Sequence, residues 1–182
     1  VTKFERDGDG LVIALSAEER PVLASLAAGL AEMLAPDEGA GGAEVDPLVA
    51  LVGMGGDGPV DRPDDPALRR LLPDAYDDPE VAAEFRRLTD GELRAAKVAN
   101  LGRILDAVAT AGGVVRVAPD EIDAWLAGLN DIRLVLGERL DMTEEREHLE
   151  DLDDEDPRLP LLVAYDWLSE FQEVLVHVFM AD

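Results

Sequence analysis

Between Ile122 and Leu140 the apolar residues Ile122, Trp125, Leu126, Leu129, Ile132, Leu136 and Leu140 follow the 3.6-residue period almost without error. Side chains at that spacing share one face of an α-helix, and such a face is stable only against other apolar surface. The chain must therefore build a helical core around this segment. Pro119 suits the turn that opens it, because a proline there gives up an amide that has no helical partner anyway.

The flanking sequence supplies the other layers. Phe4–Arg6 and Leu11–Leu15 bracket Asp7-Gly8-Asp9-Gly10, whose Asp-Gly steps suit a tight hairpin turn. Ser16 with Glu19 has capping-box spacing and opens a helix with Leu23, Leu26, Leu30, Met33 and Leu34 on one stripe, ended by Pro36. Pro21 belongs in its first turn. Residues 36–65 are rich in glycine and proline and read as a mobile loop, interrupted by Pro47-Leu48-Val49-Ala50-Leu51-Val52, whose pattern suits a short helix. Asp65-Pro66 opens a short helix through Leu72. A further helix from about Pro79 carries Val81, Phe85 and Leu88 as an apolar face. Thr89-Asp90-Gly91-Glu92 repeats the capping-box spacing and predicts a restart or kink. Leu93, Leu101, Ile104, Leu105 and Val108 continue the face up to Gly112-Gly113, a helix stop. Val114–Val117 is short and β-branched, so it reads as a third strand beside the hairpin, antiparallel or mixed. Leu161–Phe179 is apolar around most of its circumference, which fits a helix central to the bundle or covered by a partner. Trp125, Tyr165 and Trp167 read as core residues. The expected fold is mainly α: a single domain over 1–182, a bundle of four to five helices with a small N-terminal hairpin or three-stranded sheet.

Charge narrows function. The 182 residues carry 16 basic and 41 acidic side chains, a formal charge of −25. A surface of that sign repels phosphate backbones and anionic headgroups, which disfavours direct nucleic-acid or membrane-surface binding. The excess is uneven. Residues 141–156 hold ten acids against one arginine, whereas residues 61–140 hold 16 acids against 11 bases. The acidic stretch reads as a solvated loop. It fails as an EF-hand, since from Asp151 the sixth position is Asp156 and the twelfth Leu162. No segment approaches the roughly 20 apolar residues of a membrane helix, and the N-terminus lacks a signal-peptide pattern. The chain is expected to be cytoplasmic.

Catalytic signatures are missing from the sequence. Cysteine is absent, which excludes disulfides, thiolate metal sites and a cysteine nucleophile. His148 and His177 have no partner at metal-ligand spacing, and no nucleophile elbow, Walker loop or zincin motif occurs. Gly53-Met54-Gly55-Gly56 lacks the strand and helix of a phosphate cradle. An enzyme is not expected, nor a cofactor or metal. Arg69-Arg70 and Arg86-Arg87 could act as phosphate forks, but Asp64, Asp65, Asp74, Asp77, Asp78, Glu80 and Glu84 surround them and favour internal ion pairs. Arg133 borders the apolar face of the most regular helix and suggests a partly buried polar network, with Asp166 or another carboxylate as partner.

Several blocks carry a family resemblance: Asp65–Tyr76, Glu84–Thr89, Trp125–Leu134 with Gly137, Arg139 and Leu140, and Tyr165–Leu168. Together they resemble an actinobacterial domain-of-unknown-function family in which some members are labelled oxidative-stress transcriptional regulators (AosR-like). The resemblance implies a small regulator that acts through protein contacts, with a sigma factor or the transcription machinery, rather than by reading DNA. A thiol sensor needs cysteine, so that sensing chemistry does not carry over to these residues. Methionine oxidation at Met33, Met54, Met142 or Met180 is the remaining redox option. On or beside the blocks lie the candidate contact residues Arg69, Arg70, Arg86, Arg87, Asn130, Asp131, Arg133, Asp166 and Trp167. Two alternatives stay open. One is a small-ligand binder or enzyme with Asn130, Asp131 and Arg133 converging on a pocket between helices. The other is a homodimer that buries the second face of the last helix.

Overall fold

The computed structural model describes residues 2–8, 10–35, 61–109, 112–143, 149 and 152–180. Strands β1 (Lys3–Asp7) and β2 (Gly10–Ala14) form the expected hairpin, with Gly8 at φ 63° in its turn. Helix α1 (Glu19–Leu34) follows, then α2 (Pro66–Leu71), α3 (Pro79–Ala109), β3 (Val114–Val117), one 3-10 turn (Pro119–Glu121), α4 (Ile122–Arg139) and α5 (Leu159–Met180). The strand order is β1-β2-β3, antiparallel throughout, with Leu11 opposite Val117 and Ile13 opposite Val115. These four side chains point the same way and are buried, as period-two alternation requires of a sheet with one covered face.

The capping box at the start of α1 is formed. The Glu19 N–H donates to Ser16 Oγ at 3.1 Å, and the Ser16 N–H donates to the Glu19 carboxylate at 2.8 Å. Burial pushes the Glu19 carboxyl up. The hydrogen bonds from the Ser16 amide and from the Thr2 and Ser16 hydroxyls outweigh this and hold it below its ordinary value. Asp65 caps α2 by accepting from the Ala67 N–H at 2.8 Å. Gly113, at φ 72°, brings its backbone against strand β2. The Leu15 N–H donates to the Gly113 carbonyl at 2.8 Å, and a Cβ on Gly113 would lie 2.8 Å from the Leu15 carbonyl.

Helix α4 is the axis of the bundle, packing against α2, α3 and α5, while α1 lies mainly on α3. Its Trp125, Leu129, Ile132 and Leu136 are buried with Leu23, Leu30 and Leu34 of α1, Leu101 and Ile104 of α3, and Leu168, Phe171 and Leu175 of α5. Phe171 is an aromatic hub. It stacks with Trp125 at 6.3 Å and takes Phe4 and Trp167 edge-on at 5.1 and 5.8 Å. The hairpin is thereby tied to α5, and the Arg6 guanidinium adds a hydrogen bond to the Val178 carbonyl.

Three expectations are corrected or bounded. Helix α3 runs unbroken for 31 residues. The Thr89 hydroxyl donates back to the Phe85 carbonyl at 2.9 Å instead of capping a new helix, so the predicted restart at Thr89–Glu92 does not occur. The acidic stretch 141–156 is not solvated along its whole length, since Leu149 is buried. Residues 36–60, most of the predicted loop, lie outside the described residues. Residues 61–65 are described and lead into α2.

Candidate functional site

Helix α4 presents two polar groups on different sides. On the side facing α5, Arg133 Nε donates to Ser169 Oγ at 2.9 Å and Nη1 to Gln172 Oε1 at 2.6 Å. Its guanidinium lies over the Tyr165 ring at 5.3 Å, and Ser169 donates onward to the Tyr165 carbonyl at 2.7 Å. The planar fork and face of arginine suit this combination of two acceptors and one ring. On the side facing α3, Lys97 Nζ meets Asp131 Oδ1 at 2.7 Å. Asp131 is buried, and its Oδ2 has no hydrogen-bond partner. Residues 131 and 133 are two steps apart on the helix, about 200° around it. Asn130, Asp131 and Arg133 therefore do not converge on one pocket.

Asn130 and Arg133 do line a small cavity of about 190 Å³ with Arg70, Leu134, Glu138 and Tyr165. Its charged groups already have partners: Arg70 Nε lies 2.8 Å from Glu138 Oε2, and Arg133 is held as described. A broader and more open depression beside α5 is lined by Arg133, Ser169, Gln172, Glu173 and His177.

The remaining arginines are mostly engaged within the fold. Arg69 Nε donates to the Pro63 carbonyl at 2.7 Å, which fixes the entry to α2. Arg86 pairs with Asp74, which also takes Arg62 at 3.2 Å. Arg87 lies 3.9 Å from Glu84, a loose surface pair. Asp65 takes Arg139. Burial raises the Asp65 carboxyl, and the Arg139 side chain with the Ala67 amide outweighs it, so the group sits below its ordinary value. Asp166 lies on the exposed side of α5. Trp167 Nε1 donates to Thr2 Oγ1 at 3.0 Å, so this indole joins the hairpin to α5 and is not part of an exposed patch.

Exposed apolar surface lies elsewhere. Val81, Phe85 and Leu88 are 46%, 39% and 62% exposed, and Tyr76, 50% exposed, packs edge-on against Phe85 at 5.6 Å. The face that the sequence marks as apolar on the first half of α3 is thus turned to solvent, whereas the second half buries Leu101, Ile104 and Val108.

The family model for a domain of unknown function, DUF2017, matches residues 1–179. The chain belongs to the DUF2017 family. Relatives named oxidative stress regulator AosR, from Mycobacterium tuberculosis and Mycobacterium bovis, are 33% identical over 189 residues, covering 96% of this chain and 84% of theirs. A relative named putative oxidative stress regulator AosR, from Mycobacterium leprae, is 32% identical over 151 residues, covering 75% of this chain and 68% of its own. No solved structure matches.

In this DUF2017 chain no group of three or more potential metal ligands occurs among the described residues, and none of their helices is long and apolar enough to cross a membrane. The two polar groups of α4 tie it to its neighbours, Asp131 to α3 through Lys97 and Arg133 to α5 through Ser169 and Gln172. Sequence reasoning missed the exposure of the α3 stripe. The signal available was its thinness: Val81, Phe85 and Leu88 stand among Glu80, Glu84, Arg86, Arg87, Asp90 and Glu92, too few apolar positions for the ~100° wide face of a core helix. It also missed Lys97 as the partner of Asp131. Lys97 is one of only two lysines and stands in a run of small residues from Ala95 to Ala99.

Proposed function

We propose that this DUF2017 protein is a non-enzymatic, cytoplasmic regulator of the oxidative-stress response that acts through contacts with other proteins. The observation that carries this reading is the grouping of exposed apolar side chains at Tyr76, Val81, Phe85 and Leu88. Asp131 and Arg133 are each paired within the fold, on different sides of α4. Contiguous exposed apolar surface on a soluble chain marks contact sites more often than catalytic ones. The names of the mycobacterial relatives supply the process, oxidative stress regulation. A sigma factor or another part of the transcription machinery is the partner that the family resemblance implies. No cysteine stands in these 182 residues, so none of them senses an oxidant as a thiol.

Deleting the gene in the native host and measuring transcripts after peroxide exposure tests the reading. The expected result is a changed oxidant-induced transcript set, restored by wild-type chain. An unchanged transcript set and unchanged peroxide survival would sink it.

A further inference from the structure

Nine large apolar side chains are exposed among the described residues, and five of them, Tyr76, Val81, Phe85, Leu88 and Leu93, belong to one short stretch of chain. The other four, Val22, Val114, Val163 and Val176, are all valines spread over α1, β3 and α5, the ordinary scatter of a protein surface. Val81, Phe85 and Leu88 stand at i, i+4 and i+7, and the same face continues through Glu92, Ala95 and Ala99, all exposed. From Val81 to Ala99 the face runs about 27 Å at the helical rise. It is aromatic and branched at one end, flat and small at the other.

The charge around it is predominantly negative. Asp77, Asp78, Glu80, Glu84 and Glu92 are exposed beside or within the stripe. Of the nearby cations, Arg86 is turned to Asp74, while Arg87 stays partly exposed and only loosely paired, 3.9 Å from Glu84. Two occupants from the chain itself carry the same sign as this rim. Residues 36–60 have five acids and no base, and a second copy brings another −25.

We infer that the first half of α3 is the docking surface for a basic amphipathic helix of another protein, whose apolar stripe covers Phe85 and Leu88 and whose lysines or arginines meet Glu84 and Glu92. This rests on the reading of the chain as a protein-contact regulator and supplies the chemistry of the partner. An apolar face ringed by carboxylates fits the helix-in-groove mode, in which burial supplies affinity while charge sets orientation and excludes acidic competitors.

The probe is a designed helical peptide of about 20 leucines and lysines with the apolar residues at helical spacing. A scrambled peptide of the same composition and a leucine–glutamate peptide of the same pattern serve as controls. The patterned basic peptide should bind and should protect the amides of residues 81–95 from hydrogen exchange. Scrambling it, or combining F85S with L88S, should weaken binding at least about tenfold, and E84Q with E92Q about threefold, while V163S changes nothing. Going from about 0.05 M to about 0.5 M salt should weaken it severalfold. Equal binding of the scrambled peptide would reduce the effect to bulk charge and overturn the inference, as would protection elsewhere or full binding by the F85S/L88S chain. A photo-reactive residue at position 85 that cross-links to residues 47–52, or a dimer abolished by F85S/L88S, would assign the surface to the chain itself and overturn it too. Each of these failures leaves the regulatory reading to be judged separately by the transcripts of the deletion strain.

Discussion

Lys97 and Asp131 join α3 to α4 through a 2.7 Å ion pair, with the lysine side chain 16% and the aspartate side chain 5% exposed. A pair this buried is no clear gain over apolar packing, because both charges have left water, but losing one partner strands the other. Lys97→Ala should cost about 3 kcal/mol in urea unfolding, while Lys97→Leu combined with Asp131→Leu should recover most of it. Equal loss in the single and double variants would show that the two residues are not coupled.

Gly128 allows α3 and α4 to approach closely. A Cβ there would stand 2.7 Å from Ile104 Cδ1 and 3.7 Å from the Asn100 carbonyl. Gly128→Ala should therefore destabilise by about 1–3 kcal/mol through overpacking. Adding Ile104→Val removes the clashing methyl, so the double variant should be more stable than Gly128→Ala alone. Thermal unfolding of the wild type and these two variants decides it.

Arg133 spans three groups of α5, namely Ser169, Gln172 and the Tyr165 ring. Arg133→Ala should cost about 2 kcal/mol, and Arg133→Lys should recover little, since an ammonium cannot reproduce the planar fork. Full recovery by lysine in chemical denaturation would reduce the interaction to charge alone.

Acid stability should pass through a maximum. Glu19 and Asp65 have folded-state pKa values below their unfolded ones, so their contribution is present at neutral pH and is lost as pH falls through the folded values. Mild acidification acts the other way, by reducing the self-repulsion of a chain at −25. Stability should rise from pH 7 towards about pH 5, then fall below about pH 4 as the capping carboxylates protonate. Glu19→Gln should flatten the acid side of a thermal-unfolding profile. An unchanged acid limb would dissociate the α1 cap from acid stability.

Phe85 and Leu88 differ from all of these positions. Because both are exposed, Phe85→Ser and Leu88→Ser should each change stability by less than about 1 kcal/mol, whereas Phe171→Ala, in the aromatic hub, should cost about 3–5 kcal/mol. A large loss at Phe85 would mean that other parts of the chain cover it.

Local rules account for what was readable in advance. The stripe from Ile122 to Leu140, the Ser16–Glu19 box, the Asp65-Pro66 start and the β-branched Val114–Val117 all depend on residues within a few positions of one another, and each forms the predicted element. Thr89 misled because a hydroxyl at capping-box spacing has a second option, the carbonyl four residues back, and a continuous helix offers that acceptor. Arg86 and Arg87 were readable as internally paired because their carboxylates are near in sequence. The Arg70 partner, Glu138, is 68 positions away and was not.

The sequence by itself determined which residues share a face, since the helical and strand periods follow from backbone geometry. It also set the −25 charge and the absence of thiol chemistry. What each face meets was decided only when the helices packed. The central helix turns Asp131 towards Lys97 and Arg133 towards Ser169 and Gln172, partners 34 to 39 positions away. Along α3, the same helix that buries Leu101 and Ile104 leaves Phe85 and Leu88 uncovered. Periodicity orients a face without saying how far the neighbouring helices extend, and at 31 residues α3 is nearly twice the length of α1.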